Sequence, residues 1–262
     1  MSESTVDHYA RSGRRWAAGP MRVYGPIATE LVAMCPHPLA GRTVLDAGAG
    51  TGAASAALAA AGARVIASDL SPDMLAWNAL SRPPAVVADV RSLPFADACV
   101  DDVVAAFVLN HLVDPQPALA ELRRVCRGGG ALLAAVFSNA SRSAVRDRLD
   151  ELVRAEGWAC PDWYLDIKAT AAPVLGDAAA METALRAAGL RDIVVDERPV
   201  DVGVTSAEHL VEYRLGQAQF AAWLDEIGET RAAETAQRLA DGIRASMEPY
   251  RPIVVFARAT LP

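Results

Sequence analysis

Little in this sequence points to disulfide, zinc, nucleic-acid or membrane chemistry. Its four cysteines, Cys35, Cys99, Cys126 and Cys160, are widely spaced and form no CxxC pair. That pattern fits reduced thiols of a cytosolic protein. No Cys/His cluster has zinc-ligand spacing, so no metal is expected. Positive charge is scarce: the net charge is −7 and the pI about 5.2, whereas a nucleic-acid binder usually shows a basic domain or stripe. The one dense basic patch is Arg11, Arg14, Arg15 and Arg22. It reads as a solvated helix face or as a contribution to an anionic ligand group. The longest apolar runs, such as 103–109, are far too short to span a bilayer. Residues 1–7 are polar and acidic and do not resemble a signal peptide. Internal repeats and low-complexity linkers are absent as well. The expectation is a cytoplasmic protein with no membrane or nucleic-acid partner, monomeric or homodimeric.

What is present is a chain of 262 residues, 52% hydrophobic, which suits one α/β domain with a lid and buries a core without staples. From about residue 43 to 137, strand-like and helix-like patterns alternate. Strands are expected at 43–47, 64–68, 85–88, 103–108 and 131–137. Helices are expected after the glycines at 48–52, after Ser71-Pro72, where Ser71 is a plausible N-cap, and after Asp114-Pro115. Such alternation implies right-handed βαβ units and a mostly parallel, doubly wound sheet. Beyond 138 the rhythm changes. Helices are expected at 142–156, 178–188, 207–227 and 231–247, strands at 193–202 and 253–257, and an irregular stretch at 157–176. The expected division is a single domain over 1–262. It comprises an N-terminal helical lid (1–40), a ligand-binding core (41–137), a lid or insert (138–189) and a C-terminal part completing the sheet and pocket (190–262).

The stretch Val44-Leu45-Asp46-Ala47-Gly48-Ala49-Gly50-Thr51-Gly52 is the most informative. An apolar strand runs into an acid and a tight glycine turn, then into a helix-prone alanine run. Gly48, Ala49, Gly50 and Gly52 let a ligand approach the backbone. The spacing alone also fits a dinucleotide fingerprint. Asp46 argues otherwise, because a carboxylate beside the turn repels a pyrophosphate and attracts a cation. S-adenosylmethionine (SAM), with its sulfonium and ammonium, is the expected cofactor. Three acids, Asp46, Asp69 and Asp89, fall at three successive strand ends, where open α/β sheets bind ligands. Asp69, 21 residues after Gly48, suits the ribose hydroxyls. Asp89 with Val90 offers an acceptor and a backbone donor for the adenine edge. Leu70, Met74 and Leu93 are candidates to pack on the base, and Phe107 and Arg15 complete the expected cofactor contacts.

The stretch from residue 85 on carries a family resemblance. The segments Ala88-Asp89-Val90-Arg91-Ser92-Leu93-Pro94-Phe95, Phe107-Val108-Leu109-Asn110-His111-Leu112-Val113-Asp114-Pro115, Leu119-Ala120-Glu121-Leu122-Arg123-Arg124-Val125 and Gly129-Gly130 resemble the class I SAM-dependent methyltransferases. The branch is that of the ubiquinone/menaquinone-type C-methyltransferases and small-molecule methyltransferases of secondary metabolism. The resemblance covers roughly residues 40–137. It implies a Rossmann-like seven-stranded sheet whose last strand runs antiparallel, with an α-helical lid. Two positions depart from the pattern. Asp102 stands at a normally apolar site after Val100, and Gly128-Gly129-Gly130 replaces a Pro-Gly-Gly. Both lie away from the expected cofactor.

The expected reaction is SN2 methyl transfer to a small apolar or aromatic metabolite at O, C or N. Alignment does most of the work, with general-base help where the nucleophile holds a proton. His111, after the fourth strand, is the candidate base or orienting residue, and His8 and Tyr9 close over it from the lid. His37, between two prolines, reads as a turn residue, and His209 as a candidate pocket wall. The aromatic residues Trp16, Tyr24, Trp158, Trp163, Tyr164, Tyr213, Phe220 and Trp223 suggest an acceptor pocket outside the nucleotide-binding half. No Asn-Pro-Pro-Tyr motif or paired-acid metal site occurs. The alternatives are an NAD(P)-dependent oxidoreductase and a SAM-binding protein with a non-methylating role.

Overall fold

A computed structural model describes residues 8–9, 12–77 and 79–262. Arg11, from the basic patch, lies outside these residues. Two helices come first, α1 (Gly13–Ala18) and α2 (Met21–Ala33). The alternating unit follows: β1 (Thr43–Ala47), α3 (Ala53–Ala60), β2 (Arg64–Asp69), α4 (Pro72–Ala76), β3 (Ala85–Val87), β4 (Asp102–Ala106), α5 (Gln116–Val125) and β5 (Ala131–Phe137). Then come α6 (Ala144–Ala155), α7 (Asp162–Asp166), α8 (Ala178–Ala187), β6 (Arg191–Pro199), α9 (Ala207–Leu215), α10 (Ala221–Ile227), α11 (Glu229–Arg244) and β7 (Ile253–Thr260).

The seven strands form one sheet in the order β3-β2-β1-β4-β5-β7-β6. β1 through β5 pair parallel, and β7 is antiparallel to both neighbours. Side chains alternate across the sheet with period two. Val44, Val104, Leu133 and Phe256 enter the core under α2, α3, α6, α9 and α11, while Leu45, Val103, Leu132 and Val255 enter the core under α5 and α8. Strand order reverses between β1 and β4, which opens a crevice at their carboxyl ends.

Local signals mostly act as expected. Ser71 Oγ accepts from the Met74 N–H at 3.3 Å and Pro72 begins α4. The expected helix at 207–227 is broken. α9 ends at Leu215, and a 3-10 turn (Ala218–Phe220) precedes α10. Gly216 lies so close to the N-terminal segment that a Cβ there would stand 2.4 Å from Pro20 Cδ and 2.7 Å from the Arg15 carbonyl oxygen. The stretch 157–176 is not irregular throughout: it holds α7 and a π-helical turn, Ile167–Ala171. No helix of the described residues is long and apolar enough to cross a membrane.

Asp102 at the start of β4 is 1% exposed. It accepts from His37 Nε2 at 2.8 Å, Arg42 Nε at 2.6 Å, Arg42 Nη2 at 3.1 Å and the Ala131 N–H at 2.8 Å. His37 is therefore more than a turn residue. With Cys35 it brings three metal-type ligand atoms within 4.8 Å of one another, a grouping invisible in sequence because Asp102 comes from a distant strand. The four donors already use the carboxylate's lone pairs, so the cluster acts as a clamp joining the α2–β1 connection to β4 and β5.

Candidate active site

The crevice is built by the ends of four strands. β1 stops at Ala47, and Gly48 turns the chain with φ 72°, a left-handed conformation open to glycine. A Cβ on Gly48 would lie 2.4 Å from Val108 Cβ, so this position allows the glycine turn to seat against the loop after β4. β4 ends two residues earlier than expected, because Phe107 adopts φ 60° while its N–H bonds the Ala135 carbonyl oxygen at 2.8 Å. A non-glycine residue held there stores backbone strain, a common property of binding sites. The reversal leads into a short 3-10 turn, Leu109–His111, whose Asn110 and His111 border the crevice.

The three acids line this crevice together, with Gly48, Ala49, Gly50, Leu70, Met74, Val90 and Phe107. Asp46 is fully buried. Its Oδ2 accepts from Ser55 Oγ at 2.6 Å and its Oδ1 has no partner among the described residues. Burial pushes its carboxyl up to about 6, against the Ser55 hydrogen bond. Asp69 accepts from the Gly50 N–H on Oδ2 and the Ser71 N–H on Oδ1, both at 2.8 Å. It thus fastens the glycine turn to the start of α4 and keeps a lone pair on each oxygen. Burial raises its carboxyl as well, against those amide bonds. Asp89 differs, since the Arg91 guanidinium binds it and holds its carboxyl below the usual range.

His111 and Tyr9 meet at the open side. Tyr9 Oη lies 3.4 Å from His111 Nε2, and His111 Nδ1 has no partner among the described residues. Burial, then the Lys168 charge, lowers the imidazole to about 4, so it is neutral at pH 7. Burial holds the Tyr9 phenol above its usual range, as a hydrogen-bonding group and not a base. Trp16 stacks on Tyr24 with centroids 5.4 Å apart, Tyr24 meets Phe107 edge-on at 4.8 Å, and all three line the crevice.

Several expected residues lie elsewhere. Arg15 pairs with Asp225 at 2.6 Å and faces a groove among α9, α10 and α11, because the helix that carries it turns that side away. His8 stacks on Trp163 at 4.4 Å and is not part of the crevice wall. Gly52 caps α3 with φ 98° behind the turn. Leu93 belongs to the core under α5. Trp158 stacks on Phe220 in the core and its indole donates to the Gln219 carbonyl oxygen at 3.1 Å. Tyr213 is buried beside Tyr250. His209 sits in the first turn of α9, away from the crevice wall.

Sequence reading missed Thr51 and Asn110. Each lines the crevice with a buried oxygen, Oγ1 and Oδ1, that has no protein partner among the described residues. Their place between glycines and beside His111 was the available signal. Four polar atoms in one crevice (on Asp46, Thr51, Asn110 and His111) that have no partner among the described residues mark it as built for a polar ligand.

Residues 45–134 match the methyltransferase domain family. The demethylmenaquinone methyltransferase of Clavibacter sepedonicus is 36% identical over 160 residues, covering 59% of this chain and 64% of that protein. The chain thus spans less than two thirds of the length of such curated relatives. Phosphoethanolamine N-methyltransferase 2 of Haemonchus contortus, solved with SAM, superposes with a TM-score of 0.62 at 17% identity, over 99% of this chain and 60% of that one. The [4+2]-cyclase SpnF superposes at 0.55 and 22% identity, over 90% and 80%. At such identities the likeness is one of fold. Residues 45–134 of this chain therefore carry the sequence pattern of the methyltransferase domain family.

Proposed function

We propose that this protein binds SAM in the crevice and transfers its methyl group to a small apolar or aromatic acceptor at O, C or N. The observation that carries the reading is Asp46: a buried carboxylate with one oxygen unpaired among the described residues, beside a glycine turn. That group suits an ammonium and repels a diphosphate. Asp69 would take the ribose hydroxyls with its remaining lone pairs, and Asp89 with the Val90 N–H would take the adenine edge. SAM supplies a methyl group on a sulfonium, with a neutral leaving group.

The residues of this chain then align and dry the reaction. Trp16, Tyr24 and Phe107 form an apolar wall against which a flat acceptor packs. With its proton on Nε2 directed at Tyr9, His111 presents Nδ1 as acceptor for the nucleophile's hydrogen. A conjugate acid near 4 is a strong acid, so the proton moves only as the methyl group transfers. The described residues of the segment 1–40, together with 138–189, act as a lid on one domain. The net charge of −7 favours a small acceptor over nucleic acid, and the free cysteines fit the cytoplasm. We retain monomer or homodimer as the assembly.

Thermal unfolding with SAM and with NAD tests the cofactor. A ligand at about 100 times its Kd stabilises by about 2.7 kcal/mol. A shift with SAM alone is expected, and a shift with NAD alone overturns the reading. Asp69→Ala is expected to lose SAM binding. It also leaves two amides without an acceptor, lowering stability by about 1–3 kcal/mol. The second reading is the alternative that the sequence left open, a SAM-binding protein that does not methylate; a [4+2]-cyclase shares the fold. Isotope-labelled methyl recovered in the product separates the two.

A further inference from the structure

Asp89 is the one crevice acid whose lone pairs are already taken. Arg91 folds back onto it: Nε lies 3.0 Å from Oδ1 and 3.1 Å from Oδ2, Nη2 lies 2.6 Å from Oδ2, and the Arg91 N–H lies 2.8 Å from Oδ1. A carboxylate offers about four acceptor positions, and three N–H groups of one residue, the Nε–H shared between both oxygens, engage them. Arg91 also lines the crevice itself. Its side chain is 53% exposed and that of Asp89 29%. The local backbone does not depend on the guanidinium. The Ser92 N–H bonds the Asp89 carbonyl oxygen at 2.9 Å, and the Leu93 N–H bonds Glu121 Oε2 at 2.8 Å. The guanidinium is therefore free to swing into solvent while the loop stays in place.

Building on the SAM reading above, we propose that Arg91 is an internal competitor for the adenine subsite. It holds Asp89 until the adenine amino group displaces it, and so lowers the affinity of this protein for its cofactor. The displaced guanidinium is rehydrated at the surface, which keeps the penalty small. A half-exposed pair of this kind contributes modestly even with forked geometry. Arg91→Met is therefore expected to bind S-adenosylhomocysteine about two- to fivefold more tightly than wild type. Arg91→Lys keeps the charge without the fork and is expected to fall between the two. Raising salt from about 0.1 to about 1 M shortens the screening length from about 10 to about 3 Å, so the ratio of wild-type to Arg91→Met dissociation constants narrows.

Titration calorimetry with two probes decides the matter: S-adenosylhomocysteine, and its analogue with hydrogen in place of the adenine 6-amino group. The gain in Arg91→Met should appear with the first probe and vanish with the second, which has no claim on Asp89. Unchanged or weaker binding of S-adenosylhomocysteine by Arg91→Met overturns the proposal, and weaker binding would assign Arg91 to stacking on the base. An equal gain with both probes also overturns it, as a general charge effect. A wild-type protein that binds neither S-adenosylhomocysteine nor SAM fails the cofactor reading itself, and this proposal with it. Matched thermal unfolding of the unliganded variants controls for the fold.

Discussion

Asp46 and His111 share one crevice, and burial moves their titrations in opposite directions. The Asp46 carboxyl rises from 3.8 to about 6. Between those values the folded chain keeps a proton that the unfolded chain has lost, so this group lowers stability as pH rises, by about 3 kcal/mol in total. The His111 imidazole falls from 6.5 to about 4. In that window the unfolded chain gains a proton that the folded chain refuses, so this group lowers stability as pH falls, by a similar amount of about 3 kcal/mol. The two effects oppose each other. Denaturant unfolding across pH 4 to 6.5 is expected to show stability rising more steeply with pH in Asp46→Asn than in wild type, and less steeply in His111→Gln. Parallel curves for all three would place both groups in water. At the same scale, SAM affinity should weaken as pH falls through about 6, where Asp46 takes up its proton. His111→Ala is expected to lose about 10²–10⁴-fold in turnover if the imidazole takes the proton, with little change in SAM affinity. Unchanged turnover removes it from the mechanism.

At the scale of elements, the glycine turn and the loop after β4 form one unit. Gly48→Ala combines a positive φ with a Cβ 2.4 Å from Val108 Cβ. A loss of more than about 2 kcal/mol is expected, together with weakened SAM binding, measured by unfolding and calorimetry. Much of this level was legible in the chain. Asp46, Asp69 and Asp89 converge at strand ends as their spacing implied, since each follows a short apolar run that makes a parallel strand. What was not legible came from contacts across sequence. Phe107 continues an apolar run and carries no sign of a reversal, yet it turns to φ 60°. Arg15 sits in an arginine cluster, but which helix face meets the crevice is decided by α2 and α9. The break at Gly216 arises where the N-terminal segment presses on α9.

Across the whole molecule, the crevice and the Asp102 clamp occupy opposite ends of β4. Asp102→Ala leaves the Ala131 N–H without its acceptor and strands Arg42 and His37. Loss of about 3 kcal/mol is expected, at the low end for a broken buried pair, because Arg42 keeps contact with water. SAM affinity should stay near wild type. Calorimetry and unfolding on one variant therefore separate the fold-holding end of the sheet from the ligand end. A large fall in affinity would mean that the clamp also shapes the crevice.

The alternation of strands and helices over 43–137, the glycine turn and the three strand-end acids followed from sequence alone. They depend on periodicity, propensity and short spacing, all of which are local. Tertiary structure alone decided that Asp89 is held by Arg91, that Arg15 faces away from the crevice, that Thr51 and Asn110 turn unpaired oxygens into it, and that Cys35, His37 and Arg42 gather around Asp102. Asp89 and Arg91 are only two residues apart and meet through the turn after β3; the others depend on which side chains meet across long sequence separations, and only the packed sheet with its helices sets those distances.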